Sequence, residues 1–439
     1  MSTKRGFMSS PIGQLCAGIR LPRMVKIHQR FDSSHIEAEK IPQAVLAELS
    51  RPELQGIIKP GKRIAVTCGS RGVANIALIT RAIVGYVTSQ GAKPFVVPAM
   101  GSHGGATAEG QRAILTGYGV TEEFIGCPIL SSMETVEIGQ SLEPMPTGPY
   151  TGVRIDKYAA ESDGIIVVGR IKPHTDFRGP YESGLMKMMA IGLGKREGAD
   201  ICHQLGYAHM AVMVLLFGRT IIRYAPVILG FGIVENAYDQ TFKVAAMRAD
   251  EIEAREPPLL EEARRNLPYI LFDKADVLVV DRIGKNISGT GMDPNITGAG
   301  ACAPFVTGGI TVCRTVILDL TPETHGAALG IGAAHVITRR LFEQIDYDAT
   351  WVNAITSRAM DYARIPVVAE SDSEAIRLAL KTCTACDTEH PRIVRIPDSL
   401  HTGEIYVSES MAAEAQGDKR ISILSGLEDW PFDKNGNLW

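Results

Sequence analysis

Arg63-Ile-Ala-Val-Thr-Cys68, then Gly69-Ser-Arg-Gly72, a periodic stretch over 74–89 and Pro94-Phe-Val-Val-Pro98 decide the fold. The first run is continuously apolar with β-branched residues, the pattern of a strand covered on both faces. Ile76, Ile79, Ile83 and Val84 then recur on one helical face, and Gln90-Gly91 closes the segment. Strand, helix and strand in roughly 35 residues make a βαβ unit, and so a parallel sheet.

Working outward, the second strand enters the glycine-rich loop Met100-Gly-Ser-His-Gly-Gly-Ala-Thr107, with a helix predicted over 108–115. Gly164-Ile-Ile-Val-Val-Gly169 is a further buried strand, left by Arg170-Ile-Lys-Pro-His174. Ligands of open α/β sheets bind at such carboxyl ends, which places the active site at these loops. The charge-rich helical segment 250–265 reads as a connector. Beyond it a second α/β pattern begins, with strands at 275–281, 311–320, 366–368 and 392–396 and a helix at 373–380. The expected fold class is α/β with two α/β domains. A Rossmann-like parallel sheet occupies 1–267 and a smaller C-terminal domain 268–439, with the active site in the cleft between them.

Composition narrows the function classes. The 439 residues are 45% hydrophobic and 21% charged, ordinary for a globular chain, and 45 Lys plus Arg against 49 Asp plus Glu leave no basic excess for a phosphate backbone. Nucleic acid is therefore not the expected partner. The apolar stretch 201–218 is interrupted by His203, Gln204 and His209, and the basic N-terminus lacks a continuous apolar core, so neither a membrane span nor a secretory signal is expected. Eight dispersed cysteines, Cys68 among them, read as thiols of a reducing compartment, and the expected location is cytoplasmic. Cys383-Thr-Ala-Cys386 has metal or redox spacing but no second pair for zinc. No Gly-x-Gly-x-x-Gly follows a strand, so there is no dinucleotide fingerprint.

The richest segment runs from Lys172 to Lys195 and on to His203. Lys187 lies among Met186, Met188, Met189 and Ile191. An ammonium there either snorkels to water or is desolvated into a nucleophilic amine. His174 after a proline and His203 after a cysteine each read equally as structural histidines.

Their joint arrangement resembles the lactate racemase family. Lys187 and His203 stand sixteen apart, Ser183-Gly184 leads into the lysine, His103 sits in Gly-Ser-His-Gly-Gly-Ala-Thr107, and His174 follows Pro173. Gly289-Thr-Gly-Met-Asp-Pro-Asn295 is similar to the family's second-domain Gly-x-x-x-Asp-x-Asn. The chain departs from the family's Asp-x-Thr-Arg at Cys68-Gly-Ser-Arg71, and from its Gly-Gly-Arg-Lys at Gly184-Leu-Met-Lys187.

The resemblance implies a nickel-pincer nucleotide tethered to Lys187, with His203 as nickel ligand and His103 and His174 as an acid/base pair. Arg71, Ser70, Gly104, Gly105, Ser183 and Gly184 are then expected around the cofactor, and Lys172, Arg178, Thr290, Asp293, Asn295 and His325 around the substrate. The implied activity is a racemase or epimerase inverting the hydroxyl-bearing carbon of a 2-hydroxy acid, with a sugar acid such as an aldonate suited to the hydroxyl-rich loop 288–297. Alternatives are a net oxidoreductase or dehydratase on the same scaffold, or a nickel or cofactor carrier without turnover. Cofactor-biosynthesis proteins are expected as transient partners, with a homo-oligomer as a further possibility.

Overall fold

The first strand, β1 (Met24–Gln29), does not pair with the strand that follows it. In the computed structural model, which describes residues 11–70, 72–301, 308–384 and 386–439, β1 lies antiparallel between Glu404–Ser408 and Ile421–Ile423. Its last residue, Gln29, is fully buried, donating to the Thr402 carbonyl at 2.7 Å and accepting from the Leu271 amide at 2.7 Å. The chain divides into two units, Asp32–Leu267 and a second that joins the first 31 residues to Pro268–Trp439. The domain expected over 1–267 is corrected at its start: its opening segment belongs to the other unit, because β1 finds its hydrogen-bond partners there.

In Asp32–Leu267 the strands are β2 (Arg63–Cys68), β3 (Lys93–Pro98), β4 (Thr135–Gln140), β5 (Gly152–Asp156), β6 (Gly164–Arg170), β7 (Val227–Glu235) and β8 (Thr241–Arg248). The main sheet has the order β3-β2-β6-β7-β8, parallel except for the β7–β8 pair, and β4 and β5 form a separate antiparallel pair. Alternation along the strands builds a core on each face. Ala65, Val97, Ile165 and Val167 fall in one apolar cluster, and Ile64, Val66, Val96, Ile166 and Val168 in the other. That two-sided burial is why these strands read as unbroken apolar runs. The helix α1 (Ile76–Ser89) crosses from β2 to β3, and α2 (Ala108–Gly117) follows β3.

After β6 the chain makes one helical turn, α3 (Leu185–Lys187), passes through a π-helical stretch at Met188–Leu193 and continues as α4 (Lys195–His203) and α5 (Met210–Tyr224). A π-helical stretch is uncommon and concentrates at functional sites. The expected connector is the helix α6 (Ile252–Arg265), and it is a packed element, with Ile252, Glu256, Leu259, Leu260 and Ala263 buried. Pro257 within it has no N–H for the Glu253 carbonyl one turn back; the Tyr181 hydroxyl donates to that carbonyl at 2.6 Å. Among the described residues no single helix is long and apolar enough to cross a membrane; α4 and α5 reach that length only across a 91° bend.

The second unit is an eight-stranded mixed sheet. Its remaining strands are β9 (Lys274–Ile283), β10 (Thr311–Leu320), β11 (Val336–Thr338), β12 (Val367–Ala369), β13 (Ile393–Ile396), β14 (Glu404–Ser408) and β15 (Ile421–Ile423), in the order β12-β11-β10-β9-β13-β14-β1-β15. Pairs from β12 to β13 are parallel and those from β13 to β15 antiparallel. The helix α7 (Asp372–Thr382) packs its buried Ala375, Ile376, Ala379 and Leu380 on this sheet.

Candidate active site

Three loops leave the carboxyl ends of β2, β3 and β6. Ser70, two residues past β2, hydrogen-bonds His103 Nδ1 through its hydroxyl, while its carbonyl accepts from the Tyr118 hydroxyl at 2.8 Å. His103 is half-buried and extended at the mouth of a tight turn in which Gly104 and Gly105 have φ of 67° and 65°. Glycine is required at Gly104: a Cβ there would stand 2.6 Å from the Gln111 nitrogen. Thr107 caps α2 by accepting from the Gly110 amide at 3.0 Å. Arg71, expected at the cofactor phosphate, lies outside the described residues.

The His174 loop is a strap. Lys172 and Ser183 close it with two backbone bonds, 2.9 and 3.2 Å. Inside it the fully buried Glu182 carboxylate accepts from the His174 amide at 2.7 Å, the Gly179 amide at 3.2 Å, Arg178 at 3.3 Å and Arg264 of α6 at 2.5 Å. Arg178 also donates to the His174 carbonyl at 2.6 Å. Expected at a substrate carboxylate, Arg178 braces the loop, because Glu182 and this carbonyl hold its guanidinium. The His174 ring lies against Phe177 at a tilt of 34°, ring centres 4.4 Å apart, and its Nδ1 accepts the Asp176 amide at 3.0 Å. An amide only donates, so the neutral ring carries its proton on Nε2.

Ser183 and Gly184 lead directly into α3. Gly184 is required because its Cβ would fall 2.0 Å from Glu256 Oε1. Through its other oxygen Glu256 accepts the Met186 amide at 3.0 Å, so a carboxylate from α6 holds the first turn that presents Lys187. Burial pushes Glu256 up to about 7, against the pull of the Met186 and Leu185 amides. Lys187 is half-buried, and its charge acts on the buried Cys202 thiol, which burial nevertheless pushes up to about 12. His203 ends α4, its Nδ1 2.7 Å from the Ala199 carbonyl. A carbonyl only accepts, so the neutral ring holds its proton on Nδ1 and a lone pair on Nε2, the form in which imidazole ligates metals.

These pieces share one frame. The Gly101 amide of the His103 loop donates to the Gly192 carbonyl in the π-helical stretch at 3.2 Å. Lys195, which opens α4 at φ 53°, is wholly buried; its ammonium donates to the Pro98 carbonyl at 2.5 Å and to Gln111 Oε1 at 3.1 Å, and pairs with the equally buried Asp156. Burial pushes Lys195 down and Asp156 up, each opposed by the charge of the other. Ser70, His103, His174, Lys187 and His203 are thus carried by one sheet edge and the helix packed on it. Among the described residues no three His, Cys, Asp or Glu side chains converge on a metal position.

Of the residues expected from the second domain, Thr290, Asp293 and Asn295 share one loop of the other unit and are buried. Asp293 Oδ1 accepts from the Asn295 amide at 2.9 Å and its side-chain nitrogen at 2.7 Å, capping the short helix Pro294–Thr297. His325 is exposed on a turn at φ 48°.

Residues 20–213, which include all four of His103, His174, Lys187 and His203, match the family described as lactate racemase N-terminal domain. None of the curated proteins matches the chain. Among solved structures it is similar in fold to the lactate racemase apoprotein from Thermoanaerobacterium thermosaccharolyticum, with a TM-score of 0.50 and 14% identity, over 86% of this chain and 99% of that one.

Around the candidate site, Glu182, Glu256, Lys195 and Asp156 are the residues that sequence reasoning missed. Glu182 sits between Tyr181 and Ser183 inside the motif, and Lys195 ends the apolar run Met188–Gly194. A charge in an apolar context was the available signal for Lys195. Glu256, in a charged helical run, gave none.

Proposed function

We propose that this chain is a racemase or epimerase of a 2-hydroxy acid that works with a nickel-pincer nucleotide tethered to Lys187. The observation that carries the reading is a His203, sixteen residues after the helix-borne Lys187, whose Nδ1 is turned to the Ala199 carbonyl, the tautomer with its lone pair on Nε2. That donor set fits the group, since an amine at the end of the α3 turn takes the covalent arm and a neutral imidazole suits nickel. When bound, the nucleotide supplies a hydride acceptor, so the carbon bearing the hydroxyl need not lose a proton next to a carboxylate.

This chain's own residues then move the hydroxyl proton. His174 takes the acid role as imidazolium, giving its proton from Nε2 while Nδ1, 3.7 Å from the Asp176 carboxylate, keeps the other. His103 is bonded through Nδ1 to the Ser70 hydroxyl, which can donate or accept, and it takes the base role in this reading. Two such groups are needed, one to take the proton as the substrate is oxidised and one to return it on the opposite face. Gly104 and Gly105 amides belong to the cofactor phosphate in this reading, and Lys172 to the substrate carboxylate. The substrate class, including a sugar acid, and a second-domain contribution from Thr290, Asp293, Asn295 and His325 belong to the same proposal. The test is a chiral product assay on protein made alongside the cofactor-making enzymes: single enantiomers of 2-hydroxy acids should isomerise in both directions without an added redox partner, and net accumulation of the keto acid would contradict it.

A further inference from the structure

Three cysteines that the proposed reaction does not use meet at one end of the eight-stranded sheet. Cys313 is the third residue of β10, whose start runs parallel to β9 with Val312 opposite Ala275 and Arg314 opposite Val277, which sets Cys313 beside Asp276. The Cys383 thiol, just past the end of α7, donates to the Asp276 carbonyl at 3.2 Å. Arg314 holds the two elements together, donating to the Thr382 carbonyl at 2.7 Å and to Thr382 Oγ1 at 3.3 Å, and its Nη1 stands 3.5 Å from Cys313 Sγ. Cys386 Sγ lies 3.9 Å from the Cys383 carbonyl. All three cysteines are partly exposed, whereas Cys16, Cys68, Cys127 and Cys202 are buried.

We infer that Cys313 and Cys383 form a site of reversible oxidation, Cys313 being the thiolate that attacks a hydroperoxide and Cys383 the thiol that resolves it. The neighbouring groups divide the two roles. Partial burial pushes the Cys313 thiol up, but the Thr384 amide, the Cys383 thiol and the Arg314 charge outweigh it and hold Cys313 below the ordinary thiol value. Burial, with the bond to Cys313, pushes Cys383 well above that value, so it keeps its proton. A thiolate beside a guanidinium and within reach of solvent is the form that peroxides oxidise, and a protonated thiol next to it is the resolving partner. In the first step the Cys313 thiolate takes one oxygen from ROOH, the O–O bond breaks, and RO⁻ leaves and takes up a proton as ROH. In the second the Cys383 sulfur attacks the sulfenic sulfur; the S–O bond breaks, and hydroxide leaves with the Cys383 proton as water. Two thiols and one hydroperoxide thus give one disulfide, one alcohol and one water, and a small dithiol reverses the change.

The test is peptide mapping of the full chain after brief exposure to hydrogen peroxide and alkylation of the remaining thiols. Cys313 should be oxidised about tenfold faster than the buried Cys68, and should be recovered joined to Cys383 with the loss of two hydrogens, restored by a dithiol. In Cys383→Ser, Cys313 should stop at the sulfenic acid and be trapped by dimedone, while Cys313→Ser should leave Cys383 reduced. Cys313 remaining alkylatable, or its disulfide running to any other cysteine, would overturn the assignment, as would a Cys383–Cys386 bond formed with Cys313 still reduced.

Discussion

The Lys195 ammonium stands 3.1 Å from Asp156 Oδ2 with neither side chain exposed. Lys195 opens the helix that ends in His203, Asp156 ends β5, and the ammonium also donates to Pro98 at the end of β3 and to Gln111 of α2. One buried cation therefore ties the His103 loop to the helix bearing His203.

Removing one member of that pair strands the other in an apolar setting. Lys195→Met should lower unfolding stability by about 3–5 kcal/mol, read as a shifted urea midpoint. Adding Asp156→Leu should recover most of that loss, since an apolar pair of similar volume does without both charges. A single variant as stable as the parent would contradict the reading.

Glu256 gives a pH dependence with a definite sign. Its folded value of about 7 lies above the ordinary 4.5, so the folded state holds the proton more tightly. Its contribution is fully present below pH 4.5 and is lost as the pH rises through about 7. Relative to the parent, Glu256→Gln should therefore gain about 3 kcal/mol between those limits. Denaturation curves of both proteins across that range measure the difference; parallel curves would mean that the carboxyl is ionised throughout.

Gly184 tests how tightly the tether turn is held. Gly184→Ala puts a methyl 2.0 Å from Glu256 Oε1, and the backbone or the glutamate must move. The expected loss is about 1–3 kcal/mol, and the fraction of Lys187 carrying cofactor should fall with it, read by intact mass.

Glu182 acts through His174. Glu182→Gln weakens its bonds to Arg178 and Arg264 and loosens the loop, so kcat should fall on the order of 100-fold while nickel content stays unchanged. Equal losses of nickel and turnover would place Glu182 in holding the cofactor instead.

Much of the first sheet was legible because burial on both faces leaves an unmistakable run, as in β2 and β6, and because α1 shows its apolar face at helical spacing. The place of β1 was not, since Met24-Val-Lys-Ile-His-Gln29 alternates like many strands and its partners lie near the other end of the chain. His103, His174, Lys187 and His203 were proposed from the family resemblance of their joint arrangement, each being indistinct alone. Their supports were not: Lys195 is buried by groups from β3, α2 and β5 together, and Glu256 lies in a segment whose charges look solvated. Arg178 shows the converse, a cation near the motif whose partner, Glu182, is visible only once the loop is folded.

The central claim is that Lys187 carries the cofactor and His203 binds its nickel. The measurement is intact mass with nickel content on protein made alongside the cofactor-making enzymes, for the parent, Lys187→Ala and His203→Ala. The account predicts a nucleotide-sized mass increase mapping to Lys187 with about one nickel per chain, no adduct in Lys187→Ala, and the adduct with much less nickel in His203→Ala. A parent chain with neither adduct nor nickel, or an adduct that persists without Lys187, would contradict it.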